Sequence, residues 1–179
     1  YSVALNRDID LGGVLAYVDT PGDEKVVRND PTGGDSQLGN LVARAMQVRT
    51  GVEAEIAITN SLGIRADFEK GPLTVEQMFN VFPFENSITV IYLSGSEIQE
   101  TLDFVARKSA ERGCRTQAQV SGVTFDMVCQ GDCPGGARAC AKNIHRGDDC
   151  RNGDPNGPID PEACAPLEPI GLYKVAVND

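Results

Sequence analysis

The sequence contains a single histidine, His145, among its 179 residues. A dinuclear phosphoesterase centre needs several His, Asp and Asn ligands to hold two metal ions about 3.5–4 Å apart. One histidine cannot supply that set, and it lies in a loop-rich stretch without the nucleophile motif of Ser–His–Asp catalysis. P-loop and dinucleotide-binding fingerprints are missing as well. We therefore predict that this chain alone lacks a catalytic metal site and is inactive.

Basic residues are also scarce, with 16 Lys and Arg against 26 Asp and Glu and a net charge of −10. Binding a nucleic-acid polymer requires a basic surface that releases counterions, so we expect no such partner. A small anion stays compatible, because one well-placed arginine can outweigh the global field. No apolar run approaches the roughly 18 residues of a membrane span. With 41% apolar residues, the chain is predicted to form one globular domain over residues 1–179.

Cysteine is absent from the first 113 residues and then occurs six times, at positions 114, 129, 133, 140, 150 and 164. An even count in Gly/Pro/Asp-rich sequence predicts three disulfides, although sequence alone does not choose their pairing. The alternative is a zinc site formed by Cys129, Cys133, Cys140 and His145. Disulfides predict a secreted, periplasmic or cell-surface protein. Because the sequence opens at Tyr1, we expect that an export signal has been removed.

Strand and helix patterns alternate up to residue 128, which predicts a mixed α/β (α+β) fold. Strands are predicted at 13–19, 53–60, 88–93, 119–128 and 173–179. The second should be half-buried, with Ile56 and Ile58 on the buried face, and the third should be buried. Residues 1–34 are predicted to precede the core. Residues 129–172 are predicted to be an irregular cysteine-rich insert with little core.

Helices are predicted at residues 35–51, 74–79 and 94–113. Each begins at side chains that can cap it, namely Asp35 or Ser36, Thr74 with Gln77, and Ser94 with Glu97. Glycines suit the exits of the first and third helices at Gly51 and Gly113.

Two short segments are candidates for ligand binding. In "ITNSLGIRADF", Asn60, Gly63 and Arg65 follow a strand, where ligand groups are common. A guanidinium binds phosphate or carboxylate through its planar fork. Taken alone, however, Arg65 is more simply explained by a surface pairing with Asp67 or Glu69, because exposed arginine is common.

In "VFPFENS", Phe84 could stack on a flat ring while the Asn86 amide contacts the edge of that ring. The alternative is that Phe82 and Phe84 are both core residues, because phenylalanine is among the residues most often buried.

The order of several segments resembles the C-terminal substrate-binding domain of the 5'-nucleotidase family, which includes UDP-sugar hydrolases and ecto-5'-nucleotidases. The segments are "GDSQLGNLVARAM", "TNSLGIRADFEKGPLTVEQMFNVFPFENSITVIYLSGSEIQETLDF", "QVSGVTFD", "GPIDPEA" and "YKVAVND". The combination of N-x-x-G-I-R with P-F-x-N is the specific feature. The resemblance implies a layered α/β/β/α sandwich. It also implies a separate N-terminal metallophosphoesterase domain that carries two divalent metals and receives the nucleotide.

The same resemblance implies roles for individual residues. Asn60, Gly63 and Arg65 would form the loop that contacts the ribose–phosphate side of a nucleotide. Phe84 would form one wall of an aromatic stack around the base, and Asn86 would lie at the edge of the base.

Further residues follow from the resemblance. Gly122 would let the backbone approach the base, and Arg28 is the nearest candidate for a second family arginine. Ser61 and Leu62 stand where the family commonly has glycines, so the loop should be reshaped there. The family continues past the position of Asp179 with a glycine-rich segment, so we expect the domain to be truncated before that segment.

Two functions are thus expected. The first is the nucleotide-binding domain of a secreted metal-dependent 5'-nucleotidase-like phosphohydrolase. The second is a secreted structural or adhesive module that has lost nucleotide binding. Leu62, the absence of the second stacking aromatic of the family and the disulfide insert support the second function. The insert is favoured as a disulfide-stapled surface loop. It also contains a calcium-like spacing, in which an alanine stands where the bidentate glutamate is expected. This spacing comprises Asn152, Asp154, Asn156, Gly157, Asp160 and Ala163.

Overall fold

The computed structural model describes residues 9–30, 34–154 and 157–179. Nine strands and three helices form in this part of the chain. The strands are β1 (Val14–Val18), β2 (Ile56–Asn60), β3 (Gly71–Thr74), β4 (Ile88–Ser94), β5 (Ala118–Ser121), β6 (Val123–Val128), β7 (Cys140–Arg146), β8 (Ala165–Pro166) and β9 (Leu172–Asn178). The helices are α1 (Gln37–Val48), α2 (Val75–Val81) and α3 (Gly95–Ala110). The fold is the predicted mixed α/β type.

A central four-stranded sheet has the order β4-β9-β2-β5. β9 and β2 are parallel, whereas the β4–β9 and β2–β5 pairs are antiparallel. Ile56 and Ala57 on β2 are both fully buried and point into different clusters of the core. The predicted half-buried character of this strand is therefore wrong, because β2 lies inside the sheet and both of its faces are covered.

The edge position of β4 corrects a second expectation. No residue of β4 is fully buried, and Tyr92 has 62% of its surface exposed. β-branched composition predicts a strand, but it does not determine whether a neighbour covers both sides of that strand.

The three helices begin where the sequence predicts. Ser36 caps α1 by accepting from Gly39 N–H at 3.0 Å, and both predicted capping boxes form at α2 and α3. Along one face of the central sheet, Met46 of α1 and Val52 pack with Ala57 and Ala176. These contacts make α1 one outer layer of the fold.

An outer antiparallel sheet, β6-β7-β8, and helix α3 cover the opposite face of the central sheet. The core cluster between these layers joins Ile56 and Val175 of the central sheet to Leu102 of α3 and Ile144 of β7. The family-like layered sandwich is thereby confirmed. The expectation that 129–172 is irregular with little core is wrong, because β7 supplies buried side chains.

One predicted strand, residues 119–128, is two strands that belong to different sheets. β5 ends at Ser121 and β6 begins at Val123, and Gly122 between them has a left-handed φ of +75°. A strand pattern alone does not reveal a bend of this kind.

The described part of residues 1–34 also contributes to the fold. β1 pairs antiparallel with β3, and Val26 bridges to Phe68. A third core cluster, made of Leu38, Ile64, Phe68 and Val81, lies beneath this region. No helix in the described ranges is long and apolar enough to cross a membrane.

All six cysteines form disulfides, in the pairs Cys114–Cys129, Cys133–Cys140 and Cys150–Cys164. The disulfide prediction is confirmed. The zinc alternative is wrong, because its three sulfur ligands are all covalently paired.

Candidate functional site

The ends of three strands bring several predicted binding residues to one edge of the central sheet. β2 and β9 run parallel, with Ile58 opposite Val177, so both end at this edge. β4 begins there, with Ile88 opposite Asn178. Asn178 Nδ2 donates to Asn60 Oδ1 at 3.4 Å, and Asn60 N–H donates back to Asn178 Oδ1 at 3.4 Å. We call this end of the sheet the Asn60 edge.

Asp179 connects the start of β4 to the end of β9 at the Asn60 edge. Its carboxylate accepts from Ser87 Oγ and Ser87 N–H, each at 2.6 Å. These hydrogen bonds, from the hydroxyl first and then the amide, hold the pKa of the Asp179 carboxyl below its usual value. Because Asn86 precedes Ser87, the contact also places Asn86 at this edge.

The loop after β2 is a single turn of 3-10 helix at Ser61–Gly63. The Ser61 N–H donates to Gln117 O at 3.0 Å, and the Arg65 N–H donates to Val81 O at 2.9 Å. The second bond joins the loop to the end of α2, from which the Phe84 segment departs. The loop is thus held on both sides by backbone hydrogen bonds.

Within this turn, Gly63 lies directly beside Asn60. A Cβ atom added at Gly63 would overlap Asn60 Oδ1, so a side chain there would displace the Asn60 amide. Leu62 has no left-handed φ, and the 3-10 turn accommodates it. The Arg65 Nη1 atom donates to Leu62 O at 3.3 Å and the side chain is exposed.

The simpler explanation of Arg65 as one half of a surface ion pair is not supported. Glu69 pairs with Lys25 at 2.7 Å, and Asp67 accepts from the backbone N–H of Arg28 at 2.8 Å. No ion pair of Arg65 is found among the described residues. Its guanidinium has donors available for a ligand.

The segment between α2 and β4 presents Phe84 with 53% of its surface exposed, and Asn86 is exposed as well. Phe82 instead packs against the cluster around Ile64. The alternative that both phenylalanines are core residues therefore holds only for Phe82. The exposed ring of Phe84 can stack on a flat ligand.

Gly122 is not brought together with the other predicted residues. In the antiparallel β2–β5 pair, Ala118 lies opposite Asn60 and Ser121 opposite Ala57, so Gly122 is displaced towards the other end of the sheet. A Cβ atom at Gly122 would overlap the carbonyl oxygen of Glu55. The backbone at Gly122 was expected to approach a base closely, but its close neighbour in the structure is the carbonyl of Glu55.

A cleft of about 160 Å³ lies near the loop after β2. The sequence did not predict that its lining residues would come together. Arg28, Arg115, Thr116 and Gln119 line it together with Asp30. Arg28 reaches the loop directly, because its Nη1 donates to Ile64 O at 3.0 Å.

Gln119 is a buried polar residue that the sequence did not single out. Its Oε1 accepts from Ser36 N–H at 3.0 Å, and its Nε2 donates to Ser61 Oγ at 3.1 Å. It therefore ties the start of α1 to the loop after β2. The only signal in the sequence was a glutamine at an inward position of a strand. Its partners could not be predicted, because they are distant along the chain.

The calcium-like segment gives no metal cluster in the described ranges, and Asn156 lies outside them. Asp160 accepts from the backbone N–H of Glu162 at 2.8 Å and, more weakly, from Asn152 Nδ2 at 3.3 Å. The Glu162 hydrogen bond is the main reason that the pKa of Asp160 lies below its usual value. Asp160 thus stabilises a turn.

Comparison with curated proteins identifies phosphoesterases as relatives. The chain is 35% identical over 104 residues to a 5'-nucleotidase of Vibrio parahaemolyticus, a match that covers 58% of this chain and 17% of that protein. It is also 35% identical over 96 residues to a trifunctional nucleotide phosphoesterase of Bacillus subtilis, which covers 52% of this chain and 6% of that protein. The match therefore spans less than a fifth of the length of these relatives.

Solved structures agree with the fold. A 5'-nucleotidase precursor from Thermus thermophilus matches with a TM-score of 0.68 and 27% identity, over 92% of this chain and 29% of that one. An NAD nucleotidase from Haemophilus influenzae matches in fold with a TM-score of 0.69 at 16% identity, over 94% and 28% of the two chains. The family profile described as the C-terminal domain of 5'-nucleotidase matches residues 14–179. The chain therefore belongs to the 5'-nucleotidase family, through its C-terminal domain.

Proposed function

We propose that this chain is the substrate-binding domain of a metal-dependent nucleotide phosphohydrolase and that it holds the nucleotide at the Asn60 edge. The observation that carries the proposal is the convergence of Asn60, Arg65, Phe84 and Asn86 at one end of the central sheet. The exposed Phe84 ring offers an apolar face, and the exposed Arg65 offers charged donors. A nucleotide needs this combination, because it has a flat base and an anionic phosphate.

Each group has a distinct task in this proposal. The Phe84 ring stacks on the base, and the Asn86 amide contacts the base edge. The Arg65 guanidinium neutralises the phosphate through charge-assisted hydrogen bonds. The Asn60 amide, held by Asn178 and crowded by Gly63, contacts the ribose–phosphate side.

The catalytic metals belong to a different part of the parent protein in this proposal. A dinuclear centre of divalent ions in an N-terminal metallophosphoesterase domain would polarise the phosphate and supply the attacking oxygen. This chain would bind the nucleotide and present its phosphate to that domain. Three disulfides support a secreted, periplasmic or cell-surface location, where an oxidising environment maintains them.

Calorimetric titration of the 179-residue chain with AMP, adenosine and inorganic phosphate tests the proposal. We expect AMP to bind more tightly than adenosine or phosphate alone. Arg65→Ala should weaken AMP by about tenfold or more and leave adenosine nearly unchanged, because a hydrogen bond to a charged group contributes about 1.5–3 kcal/mol. Phe84→Ala should weaken both ligands, because a stacked base contributes about 1–3 kcal/mol.

Two matched variants control for charge and exposed aromatic area. Phe104 has the same exposed fraction as Phe84, 53%, but lies on α3, so Phe104→Ala should leave both affinities unchanged. Arg49→Ala removes an arginine at the end of α1 and is the control for the loss of a positive charge. Equal losses of AMP and adenosine in Arg65→Ala would reject the phosphate role of Arg65. Absence of AMP and adenosine binding at millimolar concentration would favour the structural or adhesive module instead.

A further inference from the structure

The exposed face of helix α3 carries a row of side chains with opposite charges at its two ends. Glu100, Phe104 and Arg107 are all exposed, and they lie four and then three positions apart along the helix. Residues at this spacing share one face of an α-helix. The other side of α3 is buried in the core through residues such as Ile98 and Leu102. We call the three exposed side chains the α3 row.

The two charges of the α3 row have no ion-pair partners within the described part of the chain. The next cation along this face, Lys108, instead pairs with Glu111 at 2.9 Å. The helix dipole favours acidic residues early and basic residues late in a helix, which explains the order of the two charges. It does not provide either of them with a partner. The row therefore offers an unpaired carboxylate at Glu100 and an unpaired guanidinium at Arg107.

Phe104 lies between these charges with 53% of its surface exposed. The guanidinium of Arg107 and the ammonium of Lys108 lie 6.0 and 5.8 Å from the centre of its ring. These cation–π contacts leave more than half of the surface of Phe104 in water. Burial of this surface against another aromatic ring would be favourable. The α3 row thus has an apolar centre and two oppositely charged ends.

A two-fold axis beside Phe104 gives every member of the row a partner. In an antiparallel pair of α3 helices, Glu100 of each copy lies opposite Arg107 of the other copy, because the two residues are nearly equidistant from Phe104. Seven positions separate them by about 10 Å along the helix. The two Phe104 rings then meet near the axis. A two-fold interface requires this kind of self-complementary surface.

We infer that the α3 row is the contact surface of a homodimer, in which two copies of this chain pack α3 against α3 in antiparallel orientation. Charge complementarity favours a second copy as the partner, because each row presents one carboxylate and one guanidinium to an identical row. The row is neutral as a unit, although the whole chain has a net charge of −10. None of its residues belongs to the Asn60 edge, so the inference is independent of the proposed nucleotide site.

Sedimentation equilibrium of the 179-residue chain measures the association. One helix face is a small interface, so we expect a dimer with a dissociation constant between about 1 μM and about 1 mM. Below that range the chain is a monomer, so unfolding at low concentration reports on the single domain. A wild-type chain that stays monomeric at millimolar concentration would overturn the inference.

Substitutions in the row locate the contact. Glu100→Arg and Arg107→Glu should each weaken the dimer by about tenfold or more, because like charges then face each other at both symmetric contacts. Phe104→Ala should weaken it by about tenfold, because the apolar centre is lost. Arg49→Glu makes the same charge change as Arg107→Glu at an exposed position at the end of α1, and it should leave the dimer nearly unchanged. Normal dimers of the row variants would contradict the assignment to α3.

A mixture of the two charge-reversed variants tests the antiparallel orientation. Glu100→Arg has two cations in its row and Arg107→Glu has two carboxylates, so an antiparallel heterodimer restores an ion pair at both contacts. We expect the mixture to associate about as tightly as the wild type, although each variant alone is monomeric at the same concentration. This result also shows that both variants are folded. A mixture that stays monomeric would overturn the proposed pairing.

Discussion

The two larger sheets of this domain are stabilised in different ways. The central sheet has no cysteine in its strands, and helix α1 covers one of its faces while the outer sheet and α3 cover the other. The outer sheet has three strands, and each of the three disulfides has a cysteine in or directly next to one of them. The outer sheet shares a core cluster with the central sheet, and the disulfides add cross-links that limit the entropy of the unfolded chain.

The two sheets also differ in whether they carry residues of the candidate nucleotide site. The candidate nucleotide site lies at the end of the central sheet, where buried strands hold its loops. Arg115, whose backbone follows the disulfide-bonded Cys114, lines the cleft near this site. The comparison teaches that the cysteine-rich segment is a structural layer of the domain, whereas the candidate site belongs to the central sheet.

The largest expected effect comes from reducing the disulfides. They close loops of 15, 7 and 14 residues, and each disulfide typically contributes about 2–4 kcal/mol to the free energy of unfolding. We expect reduction to lower the melting temperature strongly. Hydrogen exchange should accelerate first in β6, β7 and β8 and later in the central strands.

Thermal melts with and without reductant, together with residue-resolved hydrogen exchange, check this expectation. An unchanged melting temperature would contradict a structural role of the disulfides. Simultaneous loss of protection in both sheets would contradict the difference between them.

An intermediate effect is expected at Gly122, the bend that joins the two sheets. Gly122→Ala requires a left-handed alanine and also places Cβ against the Glu55 carbonyl, so we expect a loss of about 2–4 kcal/mol. Gly113→Ala is the matched control, because Gly113 has a similar φ of +70° but open space around it. It should cost about 1 kcal/mol. Urea unfolding measures both values, and equal losses would mean that the Glu55 contact is unimportant.

The smallest effect concerns acid and the start of α3. The backbone N–H and then the hydroxyl of Ser94 donate to the Glu97 carboxylate, which lowers its pKa in the folded state. The charged form therefore stabilises the folded protein above the ordinary pKa. That contribution is lost as pH falls through the lower folded value. Disulfides do not titrate, so acid should weaken the hydrogen-bonded start of α3 and leave the cross-links intact.

Glu97→Gln retains an acceptor but removes the titration. We expect the wild type to be more stable than this variant at neutral pH and the difference to disappear in acid. Urea midpoints across the pH range measure it, with Glu100→Gln on an exposed position of the same helix as the control. A difference that persists unchanged at the lowest pH would refute the role of the Glu97 charge.

Several predictions from the sequence were accurate because they depend on neighbours along the chain. The caps at Ser36, Thr74 and Ser94 involve residues three positions apart, so local chemistry is sufficient to specify them. The residue composition also predicted correctly that β2, β4 and β9 are strands. By contrast, the burial of β2, the exposed edge of β4 and the bend at Gly122 depend on which strands become neighbours, and no alternation pattern contains that information.

The sequence by itself determined the helix starts, the family resemblance and the presence of six paired cysteines. The tertiary structure decided which cysteines pair, that residues 140–146 enter the core, and that Gly122 lies away from the Asn60 edge. It also decided that Arg28 and Arg115 share one cleft. The physical reason is that such contacts join distant segments through sheet pairing and packing, whereas propensity, capping and periodicity act within a few residues.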